Sequence, residues 1–400
     1  MTHTITIKAG REKPIVQQHP WIFSGAIERV EGSPPPGEIV TVTDSRGRFL
    51  ARGYWNPRSQ IQVRILSWQD EPIDERWWRR MLARALAARS HLANETSCRL
   101  INAENDFLPG LIVDRYQEWL VLQALTLHID QHKAALASLL AELCAEAGIA
   151  VRGIYERSDV DVRHKEGVGQ VTGLLWGEEP PELIELNDGA RHCFVDVRKG
   201  HKTGMYLDQK RNHQRLANLF HMAYTASPET SLLNLFSYTG LFGLGASGRV
   251  TNVDASYDAL TLAEKNYQAS GFDEGRAEFI QADVFDFLRD QVAAGTTYDV
   301  IICDPPKFAH NAGQVEKAAR GYKDINLNAF RCVTPGGYLM TFSCSGAISA
   351  DLFQKIVFGA LVDSGRQAQI IEHLGASDDH PVALTFPEGA YLKGLLLRIY

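Results

Sequence analysis

The chain has 400 residues, of which 45% are hydrophobic and 22% charged, and its formal net charge is −7. This length favours two or three domains, the composition excludes a disordered chain, and the acidic balance excludes a protein coated in basic charge. The six cysteines form no CxxC pair. No amino-terminal apolar signal and no run of about 18 apolar residues is present. We therefore expect free thiols in a reducing cytoplasm, with no metal and no membrane segment.

The amino-terminal segment, residues 1–72, is predicted to form a small β-rich domain. Its strand-like stretches TITIK, EIVTVTD and IQVRIL are separated by turn material such as SPPPG and NPRS. Within residues 1–70, nine Lys and Arg outweigh six acids, which leaves +3 in a chain of −7. Local basic charge of this kind suits contact with phosphate groups, so nucleic-acid binding stays open.

A central α/β domain is predicted over residues 73–185. A helix over 74–93 comes first, followed by the strand-like stretches GLIVDRY, EWLVLQAL and GIYERSD and by a second helix at about 130–147. The segment GEEPPE at 177–182 is typical of a turn or linker. The domain therefore ends near residue 185.

The first central helix carries four arginines on one side. They are Arg76, Arg79, Arg80 and Arg84. A solvated helix face and a surface that contacts RNA phosphates explain this spacing equally well. Acids at the start of the helix, Asp74 and Glu75, favour its amino-terminal end.

From about residue 190 the pattern alternates between strand and helix. The stretches SLLNLF, RVTNVDA, AEFIQAD and YDVIICD are strand-like, and helical segments such as SYDALTLAEKNYQAS lie between them. Such alternation predicts an α/β fold with a parallel sheet that is covered on both faces. We assign residues 186–400 to this domain.

The segment LLNLFSYTGLFGLG, residues 232–245, predicts a strand, a glycine turn and then a helix. Gly240 and Gly243 would let the backbone approach a ligand closely. The next strand ends at Asp254, where a carboxylate can accept hydrogen bonds from ribose hydroxyls. The spacing differs from GxGxxG, which disfavours an NAD-dependent dehydrogenase. A tight turn without a ligand remains the alternative.

Two further acids follow strand-like segments. Asp283 could reach the exocyclic amine of an adenine or cap the next helix, and the two roles are compatible. Asp304 opens the sequence DPPKF, in which two prolines make a stiff loop at the end of the strand. We expect this loop to present Asp304 to a base or amine beside the cofactor.

One cysteine stands in a setting that suits reactivity. Cys344 lies between two serines in LMTFSCSG, where a strand enters a turn of small residues. A buried thiol without chemistry fits Cys144, Cys303 and Cys332 better. A nucleophilic role would require a thiolate at neutral pH. Upstream, the polar segment KGHKTGMYLDQKRNH at 199–213 predicts either a lid over the cofactor or an ordinary surface helix start.

Eight motifs together resemble one protein family. They are, in chain order, HPWIFSGAI, KTGMYLDQKRN, LFSYTG, DPPKF, RGYKDIN, TFSCSG, DHPV and FPEGAYLKG. The resemblance is to the bacterial large-subunit methyltransferase I family, which makes 5-methylcytosine in 23S rRNA, and it covers nearly the whole chain. It implies a PUA RNA-binding domain, a small central α/β RNA-contacting domain and a Rossmann-like class I methyltransferase. The turn SGRVTNVDA is shorter than that of the family.

The resemblance also implies site residues and partners. Cys344 matches the nucleophile of the family and Asp304 the acid of its DPP motif. The residues implied for the S-adenosyl-L-methionine pocket are Tyr206, Gln209, Asn234, Phe236, Tyr238, Gly240, Asp254, Ser256, Asp283, Val284, Asp304 and Pro305. The implied partner is 23S rRNA in the cytoplasm, and a homodimer is a further expectation.

The expected reaction makes four demands on the site. The Cys344 thiolate attacks carbon 6 of cytosine, carbon 5 then accepts the methyl group, and Asp304 hydrogen-bonds the base at N3 and the 4-amino group. A base must finally remove the carbon 5 proton, and Glu388, His380 and water stay open for that role. Two alternatives also remain: an N-methyltransferase that acts on an exocyclic amine of RNA, and a non-catalytic RNA-binding protein with a degenerate methyltransferase fold.

Overall fold

The computed structural model describes residues 3–187, 192–223, 229–273 and 275–400. The chain divides into two compact units, each built from three segments. The first unit comprises Met1–Ile184, Val195–Leu207 and Asp379–Gly389. The second comprises Glu185–Phe194, Asp208–Asp378 and Ala390–Tyr400.

The first unit begins with a six-stranded, mostly antiparallel sheet. Its elements are β1 (Thr4–Ile7), α1 (Lys13–Val16), β2 (Trp21–Phe23), β3 (Ile27–Glu31), β4 (Ile39–Thr43), β5 (Phe49–Trp55) and β6 (Ile61–Ser67). The strand order is β2-β6-β5-β4-β1-β3. Alternate residues of β4, Val40 and Val42, are buried and pack with Ile5, Val63 and Ile65, as expected of strands with one buried face.

A second sheet with two long helices completes the first unit. Its elements are α2 (Glu75–Ala87), β7 (Ser97–Asn102), β8 (Leu111–Tyr116), β9 (Trp119–Ala124), α3 (Leu127–Glu146), β10 (Gly153–Ser158), α4 (Val162–Lys165) and β11 (Val171–Gly177). The strand order is β11-β10-β9-β8-β7. The apolar faces of α2 and α3 pack on one shared core. Strands β12 (Ile184–Asn187) and β13 (His192–Val195) form a separate pair.

The arginine-bearing helix α2 begins where the sequence predicts. Asp74 caps it by accepting a hydrogen bond from the Trp77 backbone N–H at 3.0 Å. It ends at Ala87, earlier than the predicted residue 93, and a short 3₁₀ turn over Ser90–Leu92 follows. Within the described residues, Arg79 pairs with two glutamates of α3 and Arg80 with Glu71. These partners favour the solvated-face interpretation over phosphate contact.

The second unit is built on a seven-stranded sheet. Its strands are β14 (Ser231–Leu235), β15 (Arg249–Asp254), β16 (Ala277–Gln281), β17 (Tyr298–Cys303), β18 (Val333–Ser343), β19 (Ala368–Gly375) and β20 (Lys393–Ile399). The helices are α5 (Lys210–Ala223), α6 (Tyr257–Ala269), α7 (Val284–Ala294), α8 (Val315–Cys332) and α9 (Ala350–Ser364). The strand order is β16-β15-β14-β17-β18-β20-β19, and β14 to β18 are mutually parallel. The predicted α/β class and parallel-rich sheet are confirmed.

The helix predicted after Gly240 is wrong. Between β14 and β15 the described chain forms only a short 3₁₀ turn, Gly243–Gly245. Crossovers between parallel strands usually contain a helix. Helix α5 packs against the turn instead: a Cβ on Gly245 would lie 2.8 Å from the Cβ of Ala217.

The helices in the described ranges of the chain are too short or too polar to cross a bilayer.

Candidate cofactor and nucleophile site

The carboxyl ends of five parallel strands meet at one edge of the second unit. The chain adds β15 and β16 on one side of β14 and then β17 and β18 on the other, so the strand order reverses at β14. In open α/β sheets, ligands bind in the crevice outside such a reversal point. Asp254, Asp283, Asp304 and Cys344 lie at or just after the ends of four of these strands.

The loop after β14 is held in an unusual backbone conformation. Phe236 (φ 56°) and Tyr238 (φ 47°) occupy the left-handed region although neither is glycine. Each such residue costs on the order of 1–3 kcal/mol and persists only where its surroundings enforce it. Here the Ser237 N–H donates to the Val253 carbonyl at 3.0 Å. Strain retained at a strand end next to a crevice points to a ligand-binding loop.

Gly240 closes this loop in a position that admits no side chain. Its φ is +75°, and an added Cβ would lie 2.7 Å from Cε2 of Tyr267. The Tyr267 hydroxyl lies 3.2 Å from both the Gly240 carbonyl oxygen and Oδ1 of Asn252. The turn therefore requires glycine and is anchored from α6.

Asp254 organises the two backbone segments beside it. Its Oδ2 accepts a hydrogen bond from the Tyr238 N–H at 2.8 Å, and its Oδ1 accepts one from the Ser256 N–H at 2.9 Å. The Ser256 hydroxyl in turn caps α6 by accepting from the Ala259 N–H. A carboxylate oxygen can accept more than one hydrogen bond, so Asp254 retains capacity for ribose hydroxyls.

Asp283 performs the predicted capping role. Its Oδ1 accepts hydrogen bonds from the backbone N–H groups of Phe285 and Asp286 at 2.8 and 3.2 Å, at the start of α7. Among the described residues the cap uses only Oδ1, and the Asp283 side chain is exposed. Capping therefore does not preclude contact with an adenine amine.

Asp304 is held by a short relay of amides. Gln209 donates from Nε2 to Oδ2 of Asp304 at 3.0 Å, and Asn212 donates to Oε1 of Gln209 at 2.6 Å. Gln209 and Asn212 are buried, so this part of the 199–213 segment is not an ordinary surface helix start. The relay fixes the orientation of the Asp304 carboxylate.

Three further residues implied by the resemblance have contacts within the protein. Asn234 is buried within β14 and donates to Oδ1 of Asn252 at 2.9 Å. Val284 packs in the apolar core. Tyr206 belongs to the first unit, where Lys202 lies 4.3 Å above its ring. The side chains of Asn234 and Val284 are thus engaged with protein.

Cys344 is the one cysteine of six that is not fully buried. It follows the last residue of β18, and its sulfur lies 3.9 Å from the carbonyl oxygen of Pro305 in the DPPKF loop. Cys144, Cys303 and Cys332 lie in core, as predicted. Burial raises the pKa of Cys144 to about 12 and that of Cys332 to about 11, so neither is a thiolate at neutral pH.

The serines on either side of Cys344 are anchored to a tyrosine that sequence reasoning did not single out. Ser343 donates to the Tyr322 hydroxyl at 3.0 Å, and the same hydroxyl lies 3.0 Å from Oγ of Ser345. Oγ of Ser345 also accepts from the Ala309 N–H at 3.1 Å. The motifs RGYKDIN, SCSG and DPPKF therefore meet in one hydrogen-bonded cluster around the thiol.

The two side chains considered for the final proton removal belong to the first unit. His380 is buried, and its Nδ1 lies 2.7 Å from Oδ1 of Asp379. Glu388 lies 3.3 Å from Nε2 of His19. Both are therefore engaged within that unit.

Comparison with known proteins identifies the family. A model of PUA-like domains matches residues 5–68, and a model of S-adenosylmethionine-dependent methyltransferases matches residues 113–398. A ribosomal RNA large subunit methyltransferase I from Shewanella amazonensis is 46% identical, and one from Tolumonas auensis 45%, each over the full length of both chains. The chain belongs to this methyltransferase family. The predicted resemblance is thereby confirmed.

The fold comparison agrees with the family. A solved structure of a putative S-adenosylmethionine-dependent methyltransferase from Streptococcus mutans superposes with a TM-score of 0.82 at 19% identity, over all of both chains. Family membership confirms the PUA-like amino-terminal domain and the S-adenosylmethionine cofactor. In the part of the chain that the structure describes, no three His, Cys, Asp or Glu side chains are grouped as metal ligands.

Proposed function

We propose that the protein transfers a methyl group from S-adenosylmethionine to carbon 5 of one cytosine in 23S rRNA, through a covalent adduct on Cys344. The observation that carries this proposal is the setting of Cys344. It is a partly accessible thiol at the ligand edge of the sheet, beside the Asp304-Pro-Pro loop, with both neighbouring serines anchored. The names of its relatives support ribosomal RNA as the substrate.

The residues at the strand ends suit the cofactor. The Asp254 carboxylate would accept from ribose hydroxyls, and Asp283 would accept from the adenine amine. The loop from Phe236 to Gly240 would carry the backbone close to the ligand. The buried Ser237 hydroxyl, which lacks a hydrogen-bond partner in the described residues, offers one further polar contact in this loop. When bound, S-adenosylmethionine supplies an electrophilic methyl group.

The chemistry on the RNA side follows from Cys344 and Asp304. The Cys344 thiolate forms a bond to carbon 6, which moves electron density to carbon 5 and makes that carbon nucleophilic. Asp304, oriented by Gln209, would hydrogen-bond N3 and the 4-amino group as charge builds there. Carbon 5 gains the methyl group and then loses its proton to a base. The carbon 6–sulfur bond breaks and the thiolate is regenerated.

The two domains that precede the methyltransferase domain would bind the RNA around the target base. The target base must leave its stack to reach a thiol at a sheet edge, which suits looped or single-stranded RNA in the cytoplasm. We retain as predictions the PUA domain at 1–72, the RNA-contacting domain at 73–185 and the methyltransferase domain at 186–400.

A mechanism-based trap tests the proposal. RNA containing 5-fluorocytidine at the target should remain covalently attached, because fluorine replaces the proton that must leave carbon 5. The adduct should form with the wild type and with Cys193→Ser. The second variant is the control, because it removes a buried cysteine of the same unit. It should be absent with Cys344→Ser. Full methyl transfer by Cys344→Ala would refute the proposal.

The same samples decide between the alternatives. Mass spectrometry of digested RNA separates 5-methylcytidine from a nucleoside methylated on an exocyclic amine. An amine product with no adduct would identify the N-methyltransferase, which would use Asp304 and the two prolines without a nucleophile. Calorimetry that shows no heat with S-adenosylmethionine at millimolar concentration would identify a non-catalytic RNA-binding protein.

A further inference from the structure

A buried lysine contacts the turn that carries Cys344. Lys393 is the first residue of β20, and its Cα partner on β18 is Ser343, immediately before Cys344. Only 9% of the residue is exposed. Its ammonium donates to the carbonyl oxygens of Ser345 at 2.7 Å and Ile348 at 2.6 Å. Both carbonyls belong to the turn that follows Cys344.

The electrostatic setting of Lys393 is unusual. Buried lysines are normally paired with a carboxylate. Within the described residues, no Asp or Glu forms an ion pair with Lys393, and its two recorded acceptors are neutral carbonyls. An ammonium has three N–H donors, so the two carbonyls leave one N–H of Lys393 without a recorded acceptor. Among the residues that the structure describes, the buried charge therefore has no carboxylate partner.

Besides Lys393, three ionisable groups lie at or near this turn: Cys344, Lys307 and Tyr322. Burial lowers the pKa of Lys393 to about 8. A negative charge on Cys344 raises this pKa, whereas the positive charge of Lys307 in the DPPKF loop lowers it further. Tyr322 approaches from α8, and burial raises its pKa, so it stays neutral. Of these groups, Cys344 is the one that can supply a negative charge near Lys393.

We propose that Lys393 is a positioning residue for Cys344, whose ammonium fixes the turn and serves as counter-ion to the thiolate. This inference rests on the proposed function, because it concerns the same nucleophile. At pH 7 most of the Lys393 side chains carry the ammonium charge, and the thiol proton passes to water. When the sulfur bonds to carbon 6, its negative charge moves onto the base. It returns to the sulfur when the bond breaks, and Lys393 is protonated throughout.

The pH dependence of Cys344 alkylation tests the proposal without RNA or cofactor. The rate of iodoacetamide labelling is followed by mass spectrometry of the Cys344 peptide, in the full chain, from pH 5.5 to pH 10. An opposite charge within a few ångströms shifts a titration by about one pH unit or more. In Lys393→Met the midpoint should therefore rise by about one pH unit, and labelling at pH 7 should slow about tenfold.

Three further variants separate charge from anchoring. Lys393→Arg keeps the charge and should restore most of the wild-type midpoint. Lys393→Gln keeps an N–H donor without charge and should behave like Lys393→Met. Lys307→Met removes a neighbouring exposed cation and should move the midpoint less. Circular dichroism checks folding, and if Lys393→Met is unfolded the comparison of Arg with Gln decides.

The outcomes distinguish this inference from the proposed function. A wild-type midpoint in Lys393→Gln or Lys393→Met would overturn the role of Lys393, even if the 5-fluorocytidine adduct forms on Cys344. Methyl transfer by Cys344→Ala would instead refute the proposed function, whatever the labelling midpoint of the lysine variants.

Discussion

Removing the Tyr322 hydroxyl should disturb the position of Cys344 without weakening the binding of the cofactor. The substitution is Tyr322→Phe, which deletes the hydroxyl that lies 3.0 Å from Oγ of both Ser343 and Ser345. A hydrogen bond contributes about 0.5–1.5 kcal/mol net, so two lost bonds predict a fall of about 1–3 kcal/mol in the free energy of unfolding. The Ala309 N–H still donates to Ser345, which places the expected loss near the middle of this range.

The kinetic consequence should fall on the chemical step. Both serines flank Cys344, so losing their shared anchor should widen the range of thiol positions and lower kcat by about tenfold or more. Tyr322 lies on α8, whereas the glycine loop is anchored by Tyr267 of α6. The KM for S-adenosylmethionine should therefore change little.

Tyr267→Phe is the matched control for this experiment. Tyr267 is likewise buried, and its hydroxyl also has two hydrogen-bond neighbours, the carbonyl oxygen of Gly240 and Oδ1 of Asn252. We expect a comparable loss of stability, with a raised KM for the cofactor and a nearly unchanged kcat. Urea unfolding and steady-state methyl transfer measure both variants. A wild-type kcat in Tyr322→Phe, or identical kinetic changes in the two variants, would refute the reasoning.

Three other perturbations give distinct results. Burial lowers the pKa of His128 to about 4 from an ordinary 6.5, so the unfolded state binds the proton first and the free energy of unfolding should fall by about 3 kcal/mol between pH 6.5 and pH 4. His128→Gln should flatten that slope in urea titrations; an unchanged slope contradicts this. Asp254→Asn should weaken S-adenosylmethionine binding by about ten- to a hundredfold in calorimetry, whereas equal affinity would remove Asp254 from the pocket. Gly240→Ala should lower the melting temperature and the cofactor affinity together, because its Cβ would meet the Tyr267 ring; wild-type values for both would show that the turn adapts.

The parts of the fold that sequence analysis predicted are those governed by local pattern. The central strands β14 and β17 are apolar and mostly buried, because strands inside a parallel sheet are covered on both faces, whereas the edge strand β16 stays partly exposed. Asp74 and Asp283 cap helices because their side chains reach backbone N–H groups within three residues. The helix expected after Gly240 failed because α5, from another part of the chain, covers that turn.

The site divides in the same way. The shared edge of Asp304 and Cys344 could be predicted because each residue directly follows a strand, and the ends of parallel strands lie at one edge. Lys393 could not, because it reaches that edge from the opposite direction, at the start of an antiparallel strand. Lys393 opens the apolar strand KGLLLRI. This pattern predicts that the strand is buried, but it does not predict which strand lies beside it. A buried ammonium can act on the thiol only if β20 lies beside β18, so the order of these strands decides whether Cys344 has a counter-ion at all.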